Sequence, residues 1–419
     1  MLINSKAKEI KMELKYDNPA SKYLCRICQG FLKAGMFLLP WRTPEVLRGE
    51  GSSAQLPALI REKGFEKVLI VTGQNVRRHG LLDDMLKVMD ELGPSYVIYD
   101  GSHPNPTDKD VEAGVRIYND NGCQAIIAFG GGSPMDCAKG IAAMASRPGK
   151  TVRQLQGLFK VRKKTPPVFA VPTTAGTGSE TTIAAVITED STHHKASIND
   201  LCLMPEVAVL DPALTRGLPP QTTAATGFDA LCHAVECYTN GTYNSRLEND
   251  YAEKAIKLIH DNLYVAYKDG GDMNARQNMQ EAAFLAGRAF TRGCVGYVHA
   301  IGHTLGGLYG VSHGLAMAVI LPHVMRYFGA SVEPKLSRLA DICGLSGSCD
   351  REKADAFIRW IDQLKENTGI PGNLDMIREE DIPQIIKWAI KEANPIYPVP
   401  QIWGEKDFRE VLKNIKGES

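Results

Sequence analysis

Residues 124–136 read QAIIAFGGGSPMD, and this stretch decides the fold. Its first part, 124–129, is an apolar run typical of a buried strand, and three glycines follow it directly. Glycines let backbone N–H groups approach an anion without obstruction from a Cβ atom. We predict that Ser133 caps the next helix, with Pro134 at its first position and Asp136 completing a capping box. Strand, glycine turn and helix N-terminus together predict an anion site suited to a pyrophosphate.

A second loop has a similar character. Residues 172–180 read PTTAGTGSE and follow another predicted strand at 168–172. An ordinary Ser/Thr-Gly turn has the same composition, and the spacing in 130–136 matches neither GxGxxG nor GxxxxGK[ST]. Two such loops at the carboxyl ends of neighbouring parallel strands nevertheless favour a ligand, because open α/β sheets bind ligands at that edge.

Around these loops the chain divides into regions of different pattern. Before residue 219, short β-rich runs (67–72, 95–99, 124–129 and 168–172) alternate with helical stretches, which indicates a parallel sheet. After residue 219 the pattern changes to long stretches of 3.6-residue period. We therefore predict an N-terminal extension at 1–40, an α/β dinucleotide-binding domain at 41–219 and an all-α domain at 220–419. The apolar stretch 23–39 is interrupted by Arg26 and Lys33, which favours a surface helix over a membrane span.

The composition narrows the classes of partner and compartment. The 419 residues include 48 basic and 48 acidic side chains, and 44% are hydrophobic, which suffices for a full core. Zero net charge argues against a nucleic acid or an anionic membrane as partner. Ten scattered cysteines predict reduced thiols in a cytoplasmic protein. We expect no secretory leader, because charged residues interrupt the beginning of the chain.

The helical half carries a pattern typical of metal ligands. Asp229 and His233 are four residues apart and share one helix face, and His299 and His303 repeat that spacing on another helix. His313 follows ten residues after His303. Burying these groups without a partner would be costly. The mixed O/N set suits Fe²⁺ or Zn²⁺ better than Mg²⁺ or Ca²⁺. Spacing alone leaves open which of His299 and His303 is a ligand.

Several motifs, in a fixed order, resemble the iron-containing (group III) alcohol dehydrogenase family. They lie at 100–107, 130–136, 172–180, 211–212, 225–233 and 299–314. The resemblance implies a fold of the dehydroquinate synthase and iron alcohol dehydrogenase type, with the active site between an α/β cofactor domain and a helical metal-binding domain. It also implies a metal-dependent oxidoreductase that interconverts small alcohols and aldehydes or ketones by hydride transfer, and a homodimer or larger homo-oligomer.

The same resemblance assigns residues. It implies that Asp229, His233, His299 and His313 hold Fe²⁺, or alternatively Zn²⁺, and that His303 is the catalytic histidine beside the nicotinamide ring. The positions that it implies for cofactor contact include the glycine turn with its serine and several residues elsewhere, namely Gly131, Gly132, Ser133, Asn105, Thr173, Thr174, Thr177, Thr182 and Lys195.

One departure from the family pattern bears on the choice of cofactor. Where NAD-preferring relatives place an Asp after the first strand, this chain has Gly73, and Arg77 and Arg78 follow shortly after it. Without that carboxylate a 2′-phosphate meets no repulsion, and a nearby Arg could pair with it. We therefore expect NADP(H) to be favoured over NAD(H), with Gly73 at the cofactor site.

The sequence leaves three alternative functions open. One is a metal- and NAD-dependent lyase that resembles dehydroquinate synthase. The second is a hydroxyacid–oxoacid transhydrogenase of the same fold. The third, from another class, is an inert cofactor-binding interaction protein. Net oxidation of NAD(P)H by simple aldehydes separates the first two from a dehydrogenase, and metal analysis of the purified protein tests the third.

Overall fold

The computed structural model describes residues 16–191 and 195–418. Its strands are β1 (Glu45–Arg48), β2 (Lys67–Val71), β3 (Ser95–Tyr99), β4 (Ala125–Gly130), β5 (Gly157–Leu158), β6 (Val168–Pro172), β7 (Ala184–Thr188), β8 (Lys195–Asn199) and β9 (Val207–Leu210). Six of them form one sheet in the order β1-β9-β6-β4-β2-β3, and all neighbours in it are parallel. Strands β5, β8 and β7 form a small second sheet.

Helices cover both faces of the larger sheet, so its central strands are apolar throughout. Every residue of β4 and β6 is buried, as expected for parallel strands enclosed on both sides. Because β4 and β6 are neighbours, the glycine turn and the loop 172–180 leave the sheet side by side. The helices before residue 219 are α1 (Pro19–Phe37), α2 (Leu56–Glu62), α3 (Gln74–Arg78), α4 (Asp83–Leu92), α5 (Asp108–Asp120), α6 (Gly132–Ser146) and α7 (Val152–Leu155).

The remainder of the described chain is helical and is built around one apolar core. Its helices are α8 (Pro220–Asn240), α9 (Arg246–Lys268), α10 (Met273–Gly293), α11 (Tyr297–Tyr309), α12 (His313–Phe328), α13 (Glu333–Cys343), α14 (Asp350–Asn367), α15 (Ile382–Ala393) and α16 (Glu405–Lys416). Pro219 and Pro220 open α8, where proline at the first helical position costs no hydrogen bond. The predicted fold class, a parallel α/β part followed by a helical part, is confirmed.

The start of α6 differs from the prediction. The helix begins at Gly132 with Gly131 as its N-cap, and no side chain caps it. The carboxylate of Asp136 instead accepts hydrogen bonds from the Ser179 hydroxyl at 2.9 Å and the Val186 N–H at 3.1 Å. The predicted capping box is therefore wrong, because the buried carboxylate finds its donors on neighbouring segments rather than on its own helix.

Helix α1 packs on the helical part, as predicted for a surface helix. The Gln29 amide donates to the backbone oxygens of Pro395 and Tyr397, and Arg26 donates to that of Pro400. Among the helices that the structure describes, none combines the length and the apolar character needed to cross a bilayer. The ten cysteines are free thiols. The expected absence of a leader concerns residues 1–15, which lie outside the described residues.

Candidate metal centre and cofactor cleft

Four predicted donor side chains meet where three helices approach one another. Asp229 and His233 lie one turn apart on α8, His299 lies in the first turn of α11, and His313 is the first residue of α12. The Asp229 Oδ1 atom is 3.1 Å from His313 Nε2, 3.8 Å from His299 Nε2 and 3.8 Å from His233 Nδ1. Donor atoms of Asp229, His299 and His313 all lie within 4.8 Å of one another. His233 adjoins this group with its ring 4.4 Å from that of His299.

The donor atoms fit a bound cation. Asp229 Oδ1, His233 Nδ1 and His299 Nε2 are buried and have no hydrogen-bond partner among the described residues. Buried polar atoms are nearly always satisfied, so two such nitrogens that each lie 3.8 Å from an equally unpartnered carboxylate oxygen indicate a common ligand. Ligands about 2.1 Å from a tetrahedral cation stand about 3.4 Å apart, and the observed distances of 3.1–3.8 Å span that value.

The protonation states suit metal binding as well. Burial lowers the pKa of His233 to about 3 and holds that of His299 well below its ordinary value. Burial alone would raise the pKa of Asp229, but His233 and His313 hold it below its usual range. Neutral imidazoles and an ionised carboxylate are the forms that bind a metal ion.

A second carboxylate orients His299. Glu236 accepts the N–H of Val298 at 2.7 Å and lies 2.5 Å from His299 Nδ1, which leaves Nε2 directed at Asp229. Such outer partners fix the orientation and tautomer of a metal-binding histidine. The sequence analysis missed Glu236, although its position seven residues after Asp229 places it on the same face of α8.

The structure distinguishes the positions of His299 and His303, whereas their spacing in the sequence left open which of them is a metal ligand. His299 faces Asp229, whereas His303 Nδ1 lies 2.8 Å from Glu392 Oε1. The Tyr397 hydroxyl donates to the same carboxylate oxygen at 2.9 Å. Burial would lower the pKa of His303, but Glu392 raises it above its ordinary value. Glu392 and Tyr397 were also missed, and no pattern could have found them, because they lie 89 and 94 residues beyond His303.

The glycine turn and the second loop are in direct contact. A Cβ atom at Gly132 would lie 2.7 Å from Thr177 Cγ2, and one at Gly131 would lie 3.3 Å from Thr174. Ser133 Oγ accepts the N–H of Asn105 at 3.3 Å. The exposed N-terminus of α6 is thus surrounded by small and hydroxyl-bearing residues, which suits an anionic ligand.

Other predicted cofactor residues are placed differently. Lys195 Nζ donates to Asn105 Oδ1 at 2.8 Å and lies near Gly306 of α11, so this lysine connects the α/β part with the helical part. Thr173 donates its N–H to Gly130 O at 3.0 Å, which joins the start of the second loop to the glycine turn. Gly73 lies apart from this group, at the end of β2 opposite Gly101. The Thr182 side chain is buried and its hydroxyl faces Lys139.

Lys139 is a further residue that the sequence analysis missed. Its ammonium group is fully buried on α6 and lies 2.6–3.0 Å from five oxygen atoms. These belong to Ser179 in the second loop and to Thr182 and Ala184 in the segment that follows it. Burial lowers the pKa of Lys139 to about 8. The residue ties the glycine-turn helix to the loop, and a lone lysine among apolar residues was its signal in the sequence.

Comparisons with known proteins point to one family. Residues 43–212 match the model of iron-containing alcohol dehydrogenases, and residues 223–415 match the model of the C-terminal part of that family. The chain is 40% identical to alcohol dehydrogenase 4 of Schizosaccharomyces pombe over 84% of each chain. It is 40% identical to 1,3-propanediol dehydrogenase of Klebsiella pneumoniae, over 84% of this chain and 91% of the relative. A solved structure of 1,3-propanediol oxidoreductase shares 35% identity and a TM-score of 0.86, covering 90% of this chain and all of that one.

Proposed function

The chain belongs to the iron-containing alcohol dehydrogenase family, and we propose that it holds Fe²⁺ and a nicotinamide cofactor in the cleft described above. The protein is an enzyme, an oxidoreductase that interconverts alcohols with aldehydes or ketones. The observation that supports the metal most directly is that Asp229 Oδ1 and the two histidine nitrogens 3.8 Å from it are buried and have no hydrogen-bond partner among the described residues. In this proposal the α/β part at 41–219 binds the cofactor and the helical part at 220–419 binds the metal and substrate.

The metal would be held by Asp229, His233, His299 and His313, with Zn²⁺ as the alternative occupant. A bound divalent ion supplies a Lewis acid that polarises the substrate oxygen. The chain's own contribution is to hold three neutral imidazoles and one carboxylate in place before substrate arrives. Glu236 keeps His299 in the required orientation through its Nδ1 contact.

His303 is proposed to exchange the hydroxyl proton of the substrate. Its Nδ1 atom is occupied by Glu392, so Nε2 is the nitrogen that remains for this role. Its ring stacks on that of His313, with centroids 5.2 Å apart and planes 18° from parallel, which places it beside the metal ligands. Glu392 is then a positioning residue, fixed in turn by the hydroxyl of Tyr397.

Glu392 can be tested separately from the metal. We expect Glu392→Ala to lower kcat about 10–100-fold, as for other partners that orient a functional histidine. Glu392→Gln should retain more activity, because its amide oxygen still accepts from Nδ1–H. The iron content should stay unchanged in both variants, since His303 Nδ1 and Glu392 lie outside the donor group. Steady-state kinetics with metal analysis checks this, and an unaltered kcat in the Ala variant would contradict it.

The cofactor proposed is NADP(H) in preference to NAD(H). Gly73 has no side chain after β2, and a Cβ atom there would be in ordinary contact with Ser102 O at 3.5 Å. Arg77 and Arg78 follow on α3. Arg77 is paired with Asp100 at 2.7 Å, whereas Arg78 contacts the uncharged amide of Gln74 at 3.4 Å. Arg78 is therefore the better partner for a 2′-phosphate.

A substitution at Gly73 tests this preference. The wild-type enzyme should have the higher kcat/KM with NADPH, and Gly73→Asp should lower the NADPH to NADH ratio about 10–100-fold. That range corresponds to a charge-assisted hydrogen bond worth about 1.5–3 kcal/mol. Gly73→Asn is the uncharged control of equal size and should shift the ratio less. A wild-type enzyme that strongly prefers NADH would overturn the proposal.

We further propose a cytoplasmic homo-oligomer, a dimer or larger, that acts on small alcohols and carbonyl compounds. The ten free thiols support a reducing compartment. The decisive assay is a panel of small aldehydes and ketones with NADPH and iron-reconstituted protein. Net NADPH oxidation without a second hydroxyacid favours a dehydrogenase over the transhydrogenase and the lyase. Full activity after thorough chelation would refute the metal's role.

A further inference from the structure

Helix α1 presents an apolar surface to solvent. Six large apolar side chains on the helix and its C-cap are exposed, and together they are called the outer face of α1: Tyr23, Leu24, Ile27, Phe31, Phe37 and Leu38. Phe31, Phe37 and Leu38 are 76%, 77% and 82% exposed. The described residues contain twelve exposed large apolar side chains, so half of them belong to this one segment. Such a concentration marks an interaction surface rather than scattered exposure.

The arrangement of residues around α1 separates its charges from this surface. Ser21, Cys25 and Gln29 are buried and point to the body of the protein. With 3.6 residues per turn, the three cations of the helix, Lys22, Arg26 and Lys33, fall on one flank within about 40° of arc. The outer face occupies the adjoining arc and carries no charge itself, with Phe37 at its edge about 20° from Arg26. The small residues Gly30 and Ala34 lie within that arc, and Gly35 lies just beyond its other edge.

The second half of α1 has few partners in its own chain. The hydrogen bonds from α1 to the helical part of the protein are made by Arg26 and Gln29, which lie in the first half of the helix. No residue after Gln29 is fully buried in this helix. A helix segment that is exposed on most sides and rich in Phe and Leu needs a covering surface, because isolated helices of this length are marginal in water.

We propose that the outer face of α1 is a self-association surface, on which the α1 helices of two copies pack antiparallel about a two-fold axis. An axis near Gly30 and Phe31 would place Phe37 and Leu38 of one copy beside Tyr23 of the other. A surface depression of about 320 Å³ lies beside Tyr23 on the charged flank of α1, lined by Lys22, Tyr23, Arg26 and Ile402. A two-fold arrangement uses the same patch on both copies and so closes the contact.

The available area matches what a dimer requires. At the observed exposures and with side-chain areas of about 150–250 Å² for an aromatic residue, Tyr23, Phe31 and Phe37 alone offer roughly 330–560 Å², and the three aliphatic residues of the outer face add to this. A standard interface buries about 800 Å² per partner, of which about 56–65% is apolar. The small residues in the middle of the face would let two helix backbones approach closely.

A lipid surface is the main alternative occupant, and the charges disfavour it. Lys22 lies 3.9 Å from Asp407, and Arg26 is bound to Pro400 O, so two of the three cations are engaged within the chain. The net charge of the protein is zero. Interfacial helices depend on basic residues directed at anionic lipids, in addition to their apolar face.

The test compares molecular mass in solution over a range of concentrations. We expect the double variant Phe31→Gln/Phe37→Gln to have half the mass of the wild type, or a dimer dissociation constant at least about 100-fold higher, by sedimentation equilibrium. The matched control is Leu92→Gln/Leu247→Gln, which removes two exposed leucines elsewhere and should leave the mass unchanged. Equal masses for the wild type and the Phe31/Phe37 variant at every concentration would overturn the proposal.

Cross-linking keeps the proposal testable if the double variant folds poorly. A Cβ atom at Gly30 or Gly217 meets no neighbour within 4 Å, so a cysteine fits at either position. In a Cys28→Ser background, Gly30→Cys should form a disulfide-linked dimer on mild oxidation and Gly217→Cys should not. Failure of Gly30→Cys to cross-link would overturn the proposed axis. Flotation of the wild type, but not of the Phe31/Phe37 variant, with equimolar phosphatidylcholine–phosphatidylglycerol vesicles would assign the face to lipid instead.

Discussion

Replacing Asp229 by Asn should remove the bound metal and lower kcat/KM at least about 1,000-fold. Asp229 Oδ1 is an anionic atom that approaches all three imidazole nitrogens, at 3.1–3.8 Å. The amide has nearly the same shape but no charge, so three neutral histidines would remain to hold a dication. A metal that polarises the substrate oxygen contributes several kcal/mol to the transition state, and about 4 kcal/mol corresponds to 1,000-fold.

The expected result has a readout that does not depend on activity. Elemental analysis after iron reconstitution should show loss of metal in Asp229→Asn and in His313→Ala. Titration of NADPH fluorescence should show that both variants still bind cofactor, since the glycine turn is untouched. Asp250→Asn on α9 is the control for an exposed aspartate and should retain metal. A variant that retains stoichiometric iron and wild-type kcat/KM would refute the assignment of Asp229.

The donor set could be found in the sequence because most of its members lie close together in the chain. Asp229 and His233 are separated by one helical turn, and His299 and His313 fall within fifteen residues. Periodicity therefore predicts which side chains share a face. The glycine turn was found for the same reason, since strand, turn and helix are contiguous. The fold class was predicted from the change at residue 219, where short β-rich runs between helical stretches give way to long stretches of 3.6-residue period.

The partners that orient these groups could not be found in this way. Glu392 reaches His303 across 89 residues, and Lys139 reaches Thr182 and Ala184 across more than forty. Such contacts depend on how the helices and the sheet pack together, which the periodicity of a single sequence does not predict. The short strands β1, β5, β7, β8 and β9 were missed as well. β1, β5 and β9 have two to four residues, which is too short to distinguish a strand from a loop. β7 and β8 are as long as β2, β3 and β6, but they pair in the small second sheet and lack the alternation of strand and helix by which those three were predicted.

The second large effect is expected on the free energy of unfolding, when Lys139 is replaced. Its ammonium group has three N–H donors and is surrounded by five oxygen atoms, three of them backbone carbonyls. Lys139→Met would remove the one ammonium donor that these five oxygens share, leaving Ser179 O with the Thr182 N–H at 3.3 Å, and it would remove the cation that lies near Asp136. Breaking a buried charged arrangement on one side costs about 3–5 kcal/mol. We therefore expect the free energy of unfolding to fall by about that amount in urea denaturation.

The loss should also weaken cofactor binding, because Lys139 joins the helix of the glycine turn to the segment after the second loop. At neutral pH the group is charged, since its lowered pKa of about 8 still lies above 7. Lys150→Met is the matched control, because Lys150 is exposed just beyond the end of α6 and its loss should change unfolding by less than about 0.5 kcal/mol. If Lys139→Met were as stable as that control and bound NADPH equally well, the five oxygens would have to be satisfied without the lysine.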